Sequence, residues 1–250
     1  QMRRQFTVRA GELAKPLGLT TPQERSLLSR LARAGWIVRV KRGLYLLPRT
    51  LPLGGKWSPD DIQALAAVMD DVKGRYQICG PNAFNRYGFD EQIPARVYAY
   101  NNRISGERRV GAVQLSLIKV PDKRLGETTE VTTRDGLMAV YSSRARALVD
   151  GVYDWARFNS LPRGYRWITR EIKAKRVTPD ELVRLTLRYG DIGTIRRMGV
   201  LLERLGANEK LLRKLQSSLP RTTSSIPWSP TVPKRGRISR RWGVVVNAEG

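Results

Sequence analysis

Residues 21–48 read TPQERSLLSRLARAGWIVRVKRGLYLLP, and the fold assignment turns on them. Thr21 suits a helix N-cap, Pro22 the first helical position, and Glu24 the residue that reaches back to the cap. At about 100° per residue, Leu27, Leu28, Leu31 and Ala34 share one face, while Arg25, Ser26, Ser29, Arg30 and Arg33 share the other. Gly35 is placed to end this helix, because glycine adopts positive φ without penalty. Beyond it, Trp36, Val38 and Val40 alternate with Ile37, Arg39 and Lys41, the period of a strand, and Lys41-Arg42-Gly43 pinches the chain into a hairpin. A short amphipathic helix followed at once by a basic hairpin is the pattern of a winged helix-turn-helix module.

The chemistry of that pattern suits DNA. Arginines and serines on one helix face can meet both phosphates and base edges, since arginine pairs bidentately with guanine. Arg25, Ser26, Ser29, Arg30 and Arg33 are therefore expected to line the major groove. Arg39, Lys41 and Arg42 are expected to grip phosphates or the minor groove. Most basic surface helices are merely solvated, and the hairpin is what tips the balance toward DNA. Upstream, RAGELAKPLG (9–18) reads as a preceding short helix with Leu13, Ala14 and Leu17 facing inward, and Leu19-Thr20-Thr21 as the turn.

Charge is distributed unevenly along the chain. The 250 residues carry 46 Lys and Arg against 22 Asp and Glu, a formal net charge of +24. Residues 1–50 hold a surplus of nine, residues 51–159 are nearly balanced, and residues 160–250 hold a surplus of thirteen. Polyanion binding follows from that, at the N-terminal module and over the C-terminal third. An anionic membrane is the weaker partner, because the basic helix lacks a large aromatic face to bury. No apolar run of about 18 residues is present, so no membrane span is expected. The first residues, QMRRQF, lack the apolar region of a secretion signal and begin with Gln instead of Met, so further native sequence, including a helix of the first domain, is expected ahead of them. A lone Cys79 forms no internal disulfide, which suits a cytoplasmic location.

Histidine is absent, which removes His-based general bases, His zinc sites and Ser-His or Cys-His pairs. Neither a phosphate-binding glycine loop, a dinucleotide fingerprint, a Gly-x-Ser-x-Gly elbow nor a Cys-x-x-Cys pair occurs. The best enzyme case is a metal-dependent nuclease built on Asp150 and Glu171-Ile172-Lys173. It is weak: such a triplet is common in charged helices, and Asp150 is equally well explained as the partner of Arg146, one turn away. The expectation is a protein that is not an enzyme and uses no cofactor or metal. An RNA-binding protein working through the basic C-terminal third is the rival reading.

Further along, TLPLGGKWS (50–58) marks a boundary by its two glycines and proline, dividing residues 1–50 from 51–250. Ser58-Pro59-Asp60-Asp61 opens a helix whose buried stripe is Ile62, Leu65, Ala66 and Met69. A strand-rich region (76–142) contains YQIC, the short helix PNAFNRYG, and the strands ARVYAYN, AVQLSLIKV and LMAVYSS, with NRISGERR as a basic loop. Tyr98, Tyr100 and Arg103 beside that loop could stack on bases, but alternate aromatics in strands are more often core. Residues 143–219 are helical, with Ala145, Leu148, Val149 and Val152 as one stripe and TPDELVRLTLRYG as a third capped helix. The tail returns as a strand near 238–247 and ends in an apolar Trp242-Gly243-Val244-Val245-Val246, which is expected to pack. The fold class is α+β, a winged helix-turn-helix domain followed by a larger mixed α/β domain.

Several segments, in order, resemble one family. LLSRLARAGWIVRVKRGLYLLP, GPNAFNRYGFDEQIP (80–94), SSRARALVD (142–150), RRMGVLLERLG (196–206) and PWSPTVPKRGRISRRWGVVVN (227–247) are similar to AbiEi-type antitoxins, and together they cover most of the chain. The resemblance implies the antitoxin of a type IV toxin–antitoxin pair, a transcriptional repressor of its own operon. Its partners are then double-stranded DNA at its own operator and a nucleotidyltransferase-like toxin, which need not be held in a stable complex. The leading helix is shorter here than the family's pattern. Oligomeric state stays open between a dimer on inverted repeats and a monomer with a second DNA contact.

Overall fold

The computed structural model describes residues 7–50, 53–133, 136–221 and 224–248. The chain divides into two units, Gln1–Ile78 with Ile93–Tyr141, and Cys79–Gln92 with Ser142–Gly250.

The first unit begins with β1 (Thr7–Arg9), α1 (Thr21–Arg33), β2 (Val38–Lys41) and β3 (Leu44–Leu46). The strands form an antiparallel sheet in the order β1-β3-β2, with Thr7 and Val38 both opposite Leu46. Helix plus hairpin is the winged arrangement expected from residues 21–48. Two details differ. Residues 10–18 form hydrogen-bonded turns instead of the expected helix, and Leu17 is exposed. Pro16 has no N–H to donate, and Gly18 at φ 62° closes the turn through Leu19 N–H to Ala14 O at 2.8 Å. The cap of α1 is also shifted by one residue. Thr20 caps it, and Gln23 completes the reciprocal pair through Thr20 N–H to Gln23 Oε1 at 2.8 Å. In TTPQE either threonine could serve, and the one three residues before an amide side chain does.

Chain order then gives α2 (Asp61–Asp71), β4 (Tyr76–Ile78), β5 (Val97–Asn101), β6 (Gly106–Val110), β7 (Val113–Lys119), β8 (Thr128–Thr132) and β9 (Met138–Ser142). These strands build a six-stranded mixed sheet among the described residues, ordered β6-β7-β5-β4-β9-β8. Part of the expected basic loop NRISGERR is therefore an edge strand, β6, paired antiparallel with β7. The absence of alternation hides it, because Glu107, Arg108 and Arg109 are all exposed. Asp60 caps α2 with Gln63 as its reciprocal partner. Ile62, Leu65 and Met69 of α2 pack with Val97, Ala99, Leu115, Leu117 and Ala139 of the sheet. Tyr100 is buried, in keeping with a core role.

Residues 1–50 and 51–250 are separated in the sequence reading, yet the winged module shares its unit with this sheet. Val38 of β2 lies in the same core as α2, and Asp71 at the end of α2 holds both Arg9 and Lys41. Residues 51–52 of the expected boundary fall outside the described residues.

The second unit contains α3 (Gly80–Arg86), α4 (Arg144–Tyr153), α5 (Trp155–Phe158), α6 (Arg163–Lys173), α7 (Pro179–Tyr189), α8 (Ile192–Arg204) and α9 (Glu209–Ser217). Ser143, Thr178, Asp191 and Asn208 accept amide hydrogen bonds as N-caps of α4, α7, α8 and α9. Helix α6 falls inside the stretch 143–219 expected to be helical, although Pro162 at its N-cap makes no side-chain bond that would mark its start. The tail forms β10 (Ile226–Pro227), β11 (Arg237–Ser239) and β12 (Val244–Val246), with β12 between a parallel β10 and an antiparallel β11. As expected, it packs: Trp228 and Trp242 are each 1% exposed. Trp228 stacks on Tyr165 with centroids 3.7 Å apart. Gly199 lies under the Trp242 ring, where a Cβ would collide with the indole, so α8 needs glycine mid-helix.

Two carboxylates in this unit are buried among arginines. Arg146 Nε donates to Asp150 Oδ1 at 2.9 Å, both side chains are fully buried, and the guanidinium carbon sits 3.6 Å from the Tyr189 ring centroid. Glu171 accepts from Arg144 at 2.7 Å and from Arg176 at 2.7 and 2.8 Å. Burial pushes the Glu171 pKa up, but those arginines outweigh it and leave the carboxyl below its ordinary value.

Candidate nucleic-acid interface

Helix α1 is fixed from below by one carboxylate and one leucine. Glu24 is fully buried, and its oxygens accept the Gly11 and Leu13 amides at 2.6 and 2.8 Å. It thus holds the turn ahead of the helix, a different task from the expected reach back to the cap. Leu28 packs with Ile37 and Tyr45, bordered by Val8, Leu13, Leu31 and Leu47. Gly35 at φ 80° ends the helix as expected, with Trp36 N–H returning to Leu31 O at 3.0 Å. Ala34, expected on the buried face, is exposed at the C-cap.

What remains outward is cationic. Arg25, Ser26, Arg30 and Arg33 are exposed and Ser29 is half-buried. Among the described residues no carboxylate pairs with Arg25, Arg30 or Arg33. Arg30 and Arg33 lie in the last turn, where cations also complement the helix dipole.

The wing is built on β2 and β3, with Gly43 at φ 77° in its tip and a bulge between Arg39 and Lys41. Arg39 and Arg42 are exposed, and neither has a carboxylate partner among the described residues. Lys41 differs from them. Its Nζ is 2.6 Å from Asp71 Oδ2, and Arg9 holds the other oxygen at 2.7 Å. Burial raises the Asp71 pKa, but the hydrogen bonds and charges of Lys41 and Arg9 prevail and keep the carboxyl below its ordinary value. Lys41 therefore spends much of its charge tethering the wing to α2. Nothing local in the sequence separates Lys41 from the other wing cations, because the acid that holds it lies 30 residues away.

In the second unit, α6 carries a further basic face. Arg166, Arg170 and Lys173, with Thr169 and Ala174, line a shallow cavity of about 520 Å³. Arg170 donates to Gly88 O at 2.6 Å, whereas Arg166 and Lys173 have no carboxylate partner among the described residues. The two carboxylates weighed as nuclease ligands are committed elsewhere: Asp150 to Arg146 and Ser142, Glu171 to Arg144 and Arg176. Among the described residues no group of three or more His, Cys, Asp or Glu could hold a metal ion. Nor is any described helix long and apolar enough to cross a membrane.

Comparison with known proteins agrees with the N-terminal geometry. Residues 1–48 match the family described as "Transcriptional regulator, AbiEi antitoxin". A solved structure, the crystal structure of RV2827C protein from Mycobacterium tuberculosis, is similar with a TM-score of 0.59 and 16% identity over 95% of this chain and 85% of that one. That likeness is one of fold. No curated protein matches the chain.

Proposed function

We propose that this chain is a DNA-binding repressor of its own operon and the antitoxin of a type IV pair, acting by binding and not by catalysis. The observation that carries the reading is the set of exposed arginines on α1 and the wing, which lack carboxylate partners among the described residues. Arg25, Ser26, Ser29, Arg30 and Arg33 read bases and phosphates in the major groove. Arg39 and Arg42 hold the backbone or the minor groove, and Lys41 adds a weaker contact because Asp71 already engages it. The family match over residues 1–48 supports the regulator half directly. The antitoxin half rests on the resemblance of the remaining segments, and the toxin it counters is a nucleotidyltransferase-like protein. The cytoplasm is the compartment where such a protein meets its operator.

The test is a mobility-shift comparison of the DNA upstream of its own gene, a scrambled duplex and a structured RNA. Preference for the upstream DNA by about 10³-fold or more over the scrambled duplex is expected of a specific regulator. Tighter binding to the RNA than to the upstream DNA overturns the reading in favour of an RNA-binding protein. For the antitoxin half, co-expression with a nucleotidyltransferase encoded beside it restores growth; continued arrest overturns that half alone.

A further inference from the structure

The second unit holds a groove that the DNA reading does not use. It lies between α8 and the sheet of the tail, about 850 Å³ in volume, lined by Val200, Val246 and Ile238 and by Arg204, Arg237, Arg240 and Arg241. Its chemistry is lopsided. Glu203 is the one carboxylate in the lining among the described residues, and both its oxygens are taken, Oε1 by Arg241 at 3.0 Å and Oε2 by the Trp242 indole N–H at 2.9 Å. Arg241 is also held by Glu209, at 2.8 and 3.0 Å. Arg204, Arg237 and Arg240 are exposed and have no carboxylate partner among the described residues. Arg204 rests its guanidinium 5.4 Å from the Trp228 ring centroid. Beside them Ile238 leaves 54% of its surface in solvent.

The wall carrying Ile238 is a sheet edge. Among the described residues β11 pairs with β12 on one side only, in the sheet order β10-β12-β11. An edge strand presents backbone donors and acceptors to any extended chain beside it. Arginine forks bind carboxylates in bidentate pairs, and the apolar floor takes branched side chains. Single-stranded nucleic acid is the poorer fit, because among the described residues no aromatic ring lines the groove for bases to stack on. A second copy fits poorly too, since 46 cations against 22 acids make the chain repel itself.

We infer that this groove docks an extended, acidic segment of a partner protein, adding it as a strand beside β11 with its carboxylates on Arg204, Arg237 and Arg240. This surface stands independently of the DNA-reading face.

The experiment uses the full chain and fluorescence anisotropy with a fluorescein-labelled peptide of alternating Glu and Val, about ten residues long, with an oligouridylate of similar length as a second probe. Arg237→Glu with Arg240→Glu is expected to weaken peptide binding at least about tenfold. Arg166→Glu with Lys173→Glu, the same charge change on α6, is expected to shift it less than about twofold. Ile238→Glu, a single change at an exposed side chain, is expected to weaken it as well, and melting curves check that each variant is folded. Equal weakening by the two charge-reversal pairs overturns the proposal, because the attraction is then general and not located at the groove. So does an oligouridylate that loses affinity with Arg237→Glu/Arg240→Glu when the peptide does not.

Discussion

Helices α1 and α4 are both short, capped by a hydroxyl side chain and rich in arginine, yet their arginines do opposite things. On α4, Arg146 is fully buried on Asp150, and neighbouring Arg144 reaches Glu171. On α1, Arg25, Arg30 and Arg33 point outward and no described carboxylate meets them. Spacing explains the first case: Arg146 and Asp150 are one turn apart on the same face. The only acid in α1 is Glu24, and it turns inward to the Gly11 and Leu13 amides. An arginine becomes available to a polyanion when the fold withholds its acid, and counting arginines does not reveal that.

The difference can be broken most severely from the buried side. Asp150→Ala removes the carboxylate that faces the buried Arg146 guanidinium, and a loss of about 3–5 kcal/mol of stability is expected in chemical denaturation. DNA binding by the folded fraction should not change. If Asp150→Ala instead left stability intact while abolishing DNA binding, the contrast between the two helices would fail.

Next in size is the exposed side. Arg30→Ala and Arg33→Ala should each weaken binding to the upstream DNA by about 1–3 kcal/mol in titrations, with melting temperature unchanged. A drop in melting temperature comparable to that of Asp150→Ala would show these arginines to be structural.

The wing gives a finer division. Arg42→Ala should lower the salt dependence of DNA binding by about one unit of slope. Lys41→Ala should lower it by less, because Asp71 already neutralises Lys41. Equal slopes for the two variants would mean that the Asp71 tether opens when DNA arrives.

The smallest effect concerns that tether and pH. The folded Asp71 carboxyl titrates below its ordinary value, so its contribution is present above the unfolded value of about 3.9 and is lost as pH falls through the folded one. Lys41 is half exposed, which limits the contribution to about 1 kcal/mol or less. The stability gap between the native chain and Asp71→Asn should accordingly be visible near neutral pH and shrink below about pH 4. A gap that widened on acidification would contradict the pairing.

Much of the fold was readable because its signals are local. The cap at Thr178, the stop at Gly35, the alternation in β5 and β7 and the apolar end of the tail all act within a few residues. What stayed hidden was set by distant partners or by missing signals. The start of α6 carries no side-chain cap to mark it within the helical stretch, β6 is an exposed edge strand without alternation, and residues 10–18 are cut into turns by Pro16 and Gly18. At the interface, the eight DNA-facing candidates fall on α1 and the wing as the sequence implies, but the demotion of Lys41 required Asp71 to be found beside it. The groove beside β11 was equally invisible, since the use of Glu203 by Arg241 and Trp242 depends on residues 38 and 39 positions away.

The most direct measurement is the ratio of affinities for the upstream DNA and a scrambled duplex, at one fixed salt concentration, in the native chain, Arg30→Ala, Arg33→Ala and Arg42→Ala. If α1 reads bases and the wing holds the backbone, the ratio falls about tenfold or more in Arg30→Ala and Arg33→Ala and stays near the native value in Arg42→Ala, which weakens both duplexes alike. Equal losses on both duplexes in all three variants would contradict the assignment of α1 as the base-reading element.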